Sequence, residues 1–322
     1  MPILVAGGAG FIGSHLSERL LRDGHDVWCI DNLLTGRLSN LASFKAQARF
    51  HFRQWDVVAG LPPELPRMDR VYHLASPASP PGYKVHPVAT MRSNSEGTRH
   101  MLERCQRDGA RFLFASTSEA YGDPEVHPQF EDYRGNVSST GPRSMYDESK
   151  RFGEAMTMVF TRDHEVDARI ARIFNTYGPR SDPHDGRLVP NFVRQCLLNE
   201  PITVYGDGSQ TRSLCYVDDL VEGLVALMET PGTTGEVVNL GNPEEHTILE
   251  FAEVIVRLTR SRSTVVHTDF AVGDDPQRRQ PDITKARAML GWNPAVALNT
   301  GLKRTIEAFA AELGLPDFAE VA

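Results

Sequence analysis

The chain has 322 residues, 40% of them hydrophobic, enough for a substantial core and for two lobes. Its formal net charge is -8, with Lys and Arg spread along the chain, which excludes a basic surface that would gather nucleic acid or anionic lipid. Cys29, Cys105, Cys196 and Cys215 form no CxxC pair or small-domain disulfide framework, no leader pattern opens the chain, and no apolar run approaches a bilayer span; a soluble, cytoplasmic protein is expected.

In chain order, Ile3-Leu4-Val5-Ala6 reads as a strand, and Phe11 to Arg22 carries apolar residues at helical spacing after a glycine turn. Asp26 to Ile30 gives a second strand, Arg70 to Leu74 a third and Arg111 to Ala115 a fourth. A helical segment runs from about His86 to Arg107, another helix begins near Ser144, and Ala168 to Ile173 reads as a further strand. This alternation predicts an α/β fold, a Rossmann doubly wound parallel sheet whose ligand crevice lies beyond the carboxyl ends of its strands. After Ile173 the composition turns to Gly, Pro, Asp and Arg, as in Tyr177-Gly178-Pro179-Arg180 and Gly206-Asp207-Gly208. A smaller C-terminal α/β substrate lobe is therefore expected over 176–322, with 1–175 as the dinucleotide-binding domain and roughly 214–242 passing back into it.

Gly7, Gly10 and Gly13 form a GxxGxxG turn between the first strand and helix. The first allows the turn, the second lets backbone approach a pyrophosphate, and the third lets the helix pack closely. By itself the triplet also fits an ordinary glycine-rich turn. Asp31, closing the second strand, adds the carboxylate that can accept both adenosine ribose hydroxyls and would repel a 2′-phosphate, so NAD is preferred over NADP; nearby Arg37 pulls the other way. Asp56 reads either as a contact to the adenine amino group or as a turn residue.

Tyr146 and Lys150 form a YxxxK pair on one helix face. An adjacent ammonium favours the phenolate and so makes the phenol a usable base. Ser116-Thr117-Ser118-Glu119 follows a strand, placing hydroxyls and a carboxylate at the presumed crevice. Each motif alone has a bland reading, as a solvated helix face or a run of turn residues; their occurrence in this order favours catalysis. There is no GxSxG elbow, HExxH or paired-Cys pattern, so neither a serine nucleophile nor a metal is expected, and His73 reads as a packed core residue.

These residues, with Asp31-Asn32 and His73-Leu74-Ala75, resemble the extended short-chain dehydrogenases/reductases that act on nucleotide sugars. Within that family, Ala75 to Pro80, Tyr121 to Pro128, Ala171 to Thr176 and Asn239 to Thr247 resemble the UDP-glucuronate decarboxylase branch, over nearly the whole chain. The resemblance implies that Tyr146 removes the C4 hydroxyl proton, tuned by Lys150, with Thr117 and Ser118 beside it and Glu119 as an acid/base group near C5. It implies NAD contacts from Gly7, Gly10, Phe11, Ile12, Gly13, Asp31, Asn32, Thr35, Gly36, Asp56, Val57, Leu74, Ala75, Asn94, Tyr146 and Lys150. UDP-sugar contacts carry over to Pro77, Ala78, Ser79, Tyr83, Arg92, Asn175, Arg187, Tyr205, Arg212 and Arg279, the last from Asp274 to Arg279. Guanidinium groups suit this work because they hold phosphate or carboxylate through paired hydrogen bonds. Ser149, where the family often has Gly, and Leu214-Cys215, where it has a more aromatic pair, depart from the pattern. A homodimer through the segment 86–107 and the helix after Ser144 is expected by the same likeness. A 4-epimerase giving UDP-galacturonate shares the first step and stays open, a 4,6-dehydratase fits less well, and a non-catalytic NAD sensor on the same fold is the alternative of a different class.

Overall fold

The computed structural model describes residues 1–269 and 278–315. In chain order the strands are β1 (Pro2–Ala6), β2 (Asp26–Asp31), β3 (Phe50–Gln54), β4 (Arg70–His73), β5 (Arg111–Thr117) and β6 (Ala168–Ile173). Shorter ones follow: β7 (Thr176–Tyr177), β8 (Ile202–Tyr205), β9 (Thr211–Ser213), β10 (Cys215–Tyr216), β11 (Val237–Leu240), β12 (Glu245–Thr247) and β13 (Val265–Thr268). The helices begin with α1 (Phe11–Arg22), α2 (Pro80–Val85), α3 (Pro87–Arg92), α4 (Thr98–Asp108) and α5 (Ser144–Asp163). They continue with α6 (Leu188–Leu197), α7 (Val217–Glu229), α8 (Ile248–Thr259), α9 (Thr284–Leu290) and α10 (Leu298–Glu312).

Side-chain alternation explains the sheet. Ile3 and Val5 of β1 enter one hydrophobic cluster with Leu16 and Leu20 of α1, while Leu4 and Ala6 enter another with Met101 and Leu102 of α4. Because both faces are covered, the strands read as unbroken apolar runs. Among the described residues the sheet has seven strands in the order β11-β6-β5-β4-β1-β2-β3, every pairing parallel. The order reverses between β1 and β4, the switch point at which such sheets open a crevice. The first core cluster does not stop at the sheet: it continues through Phe192 of α6 and Phe251 of α8 to Phe309 of α10. Among the described residues no helix is long and apolar enough to cross a membrane.

Two details differ from the sequence reading. β3 belongs to the sheet beside β2, although its polar alternation, Phe50-His51-Phe52-Arg53-Gln54, hides it at the sheet edge. The helical segment after His86 is not continuous, because residues Ser93–Gly97 form a π-turn between α3 and α4. Such a turn inserts an extra residue and aims a side chain off the regular face; here Asn94 is fully buried. The sheet also takes in β11, its backbone paired with β6 from Val237 to Leu240.

Candidate active site

The glycine turn is built by backbone contact. Gly7 has a φ of +81°, and a Cβ there would lie 2.7 Å from the nitrogen of Ala75; one on Gly13 would lie 2.1 Å from the carbonyl oxygen of Gly7. Leu74 donates its N–H to Ala6, which fixes the β4 end against the same turn. Gly10, by contrast, has only that Gly7 oxygen within 4 Å of where a Cβ would sit, so the space above it is open. No side chain caps α1, whose first N–H groups, on Phe11, Ile12 and Gly13, have no intrahelical acceptor. An open glycine over an uncapped helix N-terminus fits a pyrophosphate.

Asp31 ends β2 and is almost buried. Its carboxylate accepts from Ala9 N at 3.0 Å and Leu33 N at 2.8 Å. Burial raises its pKa, opposed by those backbone bonds. Gly36 is held against it, since a Cβ there would sit 2.6 Å from Asp31 Oδ1, and Thr35 follows β2 on the same loop, beside Gly82 of α2. Asn32 donates to Asp56 at 3.2 Å, Asp56 caps the turn that carries the buried Val57, and Val57 touches Gly97 of the π-turn. Thus the residues named for a dinucleotide, apart from Asn94, Tyr146 and Lys150, gather around the carboxyl ends of β1, β2, β3 and β4.

The second group lies at the end of β5. Tyr146 and Lys150, one turn apart on α5, are both buried, and Lys150 Nζ lies 5.9 Å from the Tyr146 ring centre while donating to Ala115 O at 2.7 Å. Thr117 hydrogen-bonds Tyr146, and Ser118 is buried next to it. Tyr83 of α2 stacks on Tyr146 with centres 4.9 Å apart. Ser79 caps α2, Pro77 is buried and Ala78 exposed on the preceding loop. The Ser149 departure is used locally: its hydroxyl accepts from Asn94 at 3.0 Å and donates to Tyr146 O at 3.0 Å.

The expected help from Lys150 is opposed by burial. Burial pushes Tyr146 up, with Thr117 lowering it in part, and burial pulls Lys150 down to about 7. The cost of taking both groups out of water works against the attraction between their charges. His73 is a packed core residue as expected, with burial holding it neutral at a pKa of about 3.

Glu119 differs from the role read for it. Burial alone would raise its pKa, but Arg279 and Arg143 hold the carboxyl below its ordinary value. Arg143 Nη2 lies 2.5 Å from Oε2, and Arg279 pairs with Oε1. In this arrangement Glu119 is an ionised acceptor between two cations, so donating a proton requires one arginine to move. Arg143 and Asp147 escaped the sequence reading, although Arg143 stands three residues before Tyr146 in a detectable Gly-Pro-Arg start to α5. Asp147 is nearly buried, has Arg143 Nε at 4.0 Å, and is raised to about 7 by burial and by the charge of Glu119.

Arg187, at the start of α6, is bidentate to Asp185 at 2.7 and 2.5 Å. Asn175 sits between β6 and β7, its carbonyl bonded by Cys215 N at 2.9 Å. Arg212 on β9 donates to Thr211 O at 2.8 Å, and β9 pairs with β12. Two residues are not brought in by any observed contact: Tyr205 is exposed at the end of β8, and Arg92 is exposed and paired with Glu96 on one helix face. Of the run Asp274 to Arg279, residues 274–277 lie outside the described residues. Among the described residues no cluster could hold a metal ion.

Residues 3–241 match the NAD dependent epimerase/dehydratase family. UDP-glucuronic acid decarboxylase 1 of Danio rerio is 53% identical over 97% of this chain and 73% of that protein, and its Arabidopsis thaliana counterpart is 51% identical over 96% and 70%. Among solved structures, UDP-glucuronic acid 4-epimerase from Bacillus cereus, in complex with UDP-glucuronic acid and NAD, superposes with a TM-score of 0.87 at 30% identity, covering 97% of this chain and 100% of that one. The glycine turn, Asp31 and the Tyr146–Lys150 helix thus stand in a chain that belongs to the NAD dependent epimerase/dehydratase family.

Proposed function

We propose that the chain decarboxylates UDP-glucuronate to UDP-xylose, using bound NAD that is regenerated in each turnover. What carries the reading is the convergence of Tyr146, Thr117 and Lys150 at the end of β5, in a chain about half identical to proteins named as UDP-glucuronic acid decarboxylases. NAD, when bound, supplies a reversible hydride acceptor for C4, which turns the sugar into a β-keto acid and opens a path for carbon dioxide to leave. Gly7, Gly10 and Gly13 with the α1 N-terminus hold its pyrophosphate, and Asp31 its adenosine ribose. Tyr146 Oη takes the proton of the C4 hydroxyl, and Thr117 holds the same oxygen by a hydrogen bond. Lys150 carries the charge that keeps the resulting phenolate in range. Arg187, Arg212 and Arg279, all after residue 175, hold diphosphate or sugar carboxylate. Glu119 orders Arg143 and Arg279 around the sugar acid.

A 4-epimerase is the second reading, favoured by the Bacillus cereus likeness at 30% identity against about 50% for the decarboxylases. Incubation with UDP-glucuronate, followed by NMR of the sugar nucleotides and capture of carbon dioxide, separates the outcomes: UDP-xylose, UDP-galacturonate, or no turnover for a non-catalytic sensor. Denaturing the purified protein should release NAD. Active protein that neither holds nor needs NAD refutes the proposal.

We also propose a homodimer through α3 and α5, where Val88, Met91, Phe152 and Val159 are exposed on adjacent helices. Phe152→Glu should give a monomer by light scattering. The four free, buried cysteines favour a reducing compartment such as the cytosol.

A further inference from the structure

Arg37 is the cation nearest in sequence to Asp31 that could greet a 2′-phosphate, and its backbone is tied to the dinucleotide loop. Its N–H donates to Ala9 O at 2.9 Å, and the N–H of Ala9 donates to Asp31 at 3.0 Å. One residue thus links the ribose-facing carboxylate to the arginine. Asn40 reinforces the link by donating to the same Ala9 oxygen at 3.0 Å.

The guanidinium itself is engaged elsewhere. Arg37 Nη1 donates to Glu312 Oε1 at 2.5 Å, from the last residue of α10. Nη2 donates to the carbonyls of Arg180 at 3.2 Å and Ser181 at 3.3 Å, and more weakly to Asn40 Oδ1 at 3.5 Å. Arg180 is in turn held by Glu18 at 2.6 Å. Both terminal guanidinium nitrogens have acceptors, and Glu312 is the anion among those acceptors. A phosphate recruits an arginine by offering paired charge-assisted bonds; Glu312 already offers charge, from the opposite end of the chain.

We propose that Glu312 is a positioning residue for dinucleotide choice, a latch that keeps Arg37 from serving a 2′-phosphate. Asp31 then discriminates by repulsion and Glu312 by withholding the attractive partner. The inference rests on the proposed use of NAD and deepens it. One consequence is specific: removing Asp31 alone does not convert the site to NADP, because Arg37 remains held.

The test equilibrates the full-length protein with equal NAD and NADP, removes free nucleotide, denatures the protein and quantifies what is released. Asp31→Ser should raise the NADP:NAD ratio modestly. Asp31→Ser with Glu312→Gln should raise it by a further factor of about two to five, the scale of the partly exposed ion pair that is released. Adding Arg37→Met should erase that further gain. Glu312 is partly exposed, and melting curves of each variant verify that the fold persists. A double variant equal to Asp31→Ser overturns the latch, as does a gain that survives Arg37→Met. Wild-type protein that captures neither dinucleotide defeats the NAD reading itself, whereas wild-type capture of NAD with no added gain in the double variant defeats only the latch.

Discussion

The two ends of the crevice are made of different materials. Around β1 and β2 the site is backbone: glycines that admit no Cβ, an uncapped helix start, and one carboxylate already taking two N–H bonds. Around β5 and α5 it is buried charge: Glu119 between Arg143 and Arg279, Asp147 beside Arg143, and Lys150 with Tyr146 away from water. The first end is shaped by backbone contacts around a single carboxylate, Asp31. The second concentrates groups whose protonation is set by one another, which is what proton transfer requires.

The largest effect should come from the charged end. Tyr146→Phe should lower kcat by about 10²- to 10⁴-fold, the usual worth of a positioned acid or base, with the melting point nearly unchanged. An active variant would remove proton transfer from this end of the crevice. Glu119→Gln leaves the buried Arg279 and the partly buried Arg143 facing a neutral amide and should cost about 3 kcal/mol in urea unfolding, besides activity. A neutral result would mean that the two arginines are hydrated or mobile.

Gly13→Ala probes the backbone end, since its Cβ has no room beside Gly7 O. It should weaken NAD binding by roughly tenfold or more and cost about 1–3 kcal/mol by overpacking, with an unaltered pH profile for whatever activity survives. A changed profile would mean that the two ends are coupled.

Asp147→Asn sharpens the contrast through pH. Burial, then Glu119, raises the folded pKa from 3.8 to about 7, so between those values the folded chain holds a proton that the unfolded chain releases. The stability from this group is therefore full below 3.8 and falls as pH rises toward 7. The asparagine variant stays neutral, so it should match wild type near pH 4 and exceed it near pH 8 by on the order of 1–3 kcal/mol. Equal urea midpoints at the higher pH would show that Asp147 is solvated. The smallest effect belongs to Arg92→Ala, expected to leave KM for the nucleotide sugar within about twofold because that side chain is spent on an exposed helix pair. A large rise in KM would bring Arg92 back into the substrate site.

Legibility followed chain locality. Gly7, Gly10, Gly13 and Asp31 lie within one β-α-β unit, and Tyr146 and Lys150 within one helical turn, so spacing alone placed them on shared faces. The five strands read from apolar runs all enter the sheet, whereas β3 lies on the sheet's edge and carries too much polarity to be read. The π-turn at Asn94 left no periodic signature, because a single inserted residue looks like ordinary drift in the helical pattern.

The sequence by itself determined the parallel sheet, the dinucleotide turn and the phenol–ammonium pair, because each depends on residues a few positions apart whose geometry the backbone fixes. Only the tertiary structure decided that Glu119 is clamped by Arg143 and Arg279, that Lys150 sits near neutrality, and that Arg37 is engaged by Glu312. Those outcomes depend on charge and desolvation among segments up to 275 positions apart, and both vary with distance and burial, which a linear order of residues does not contain.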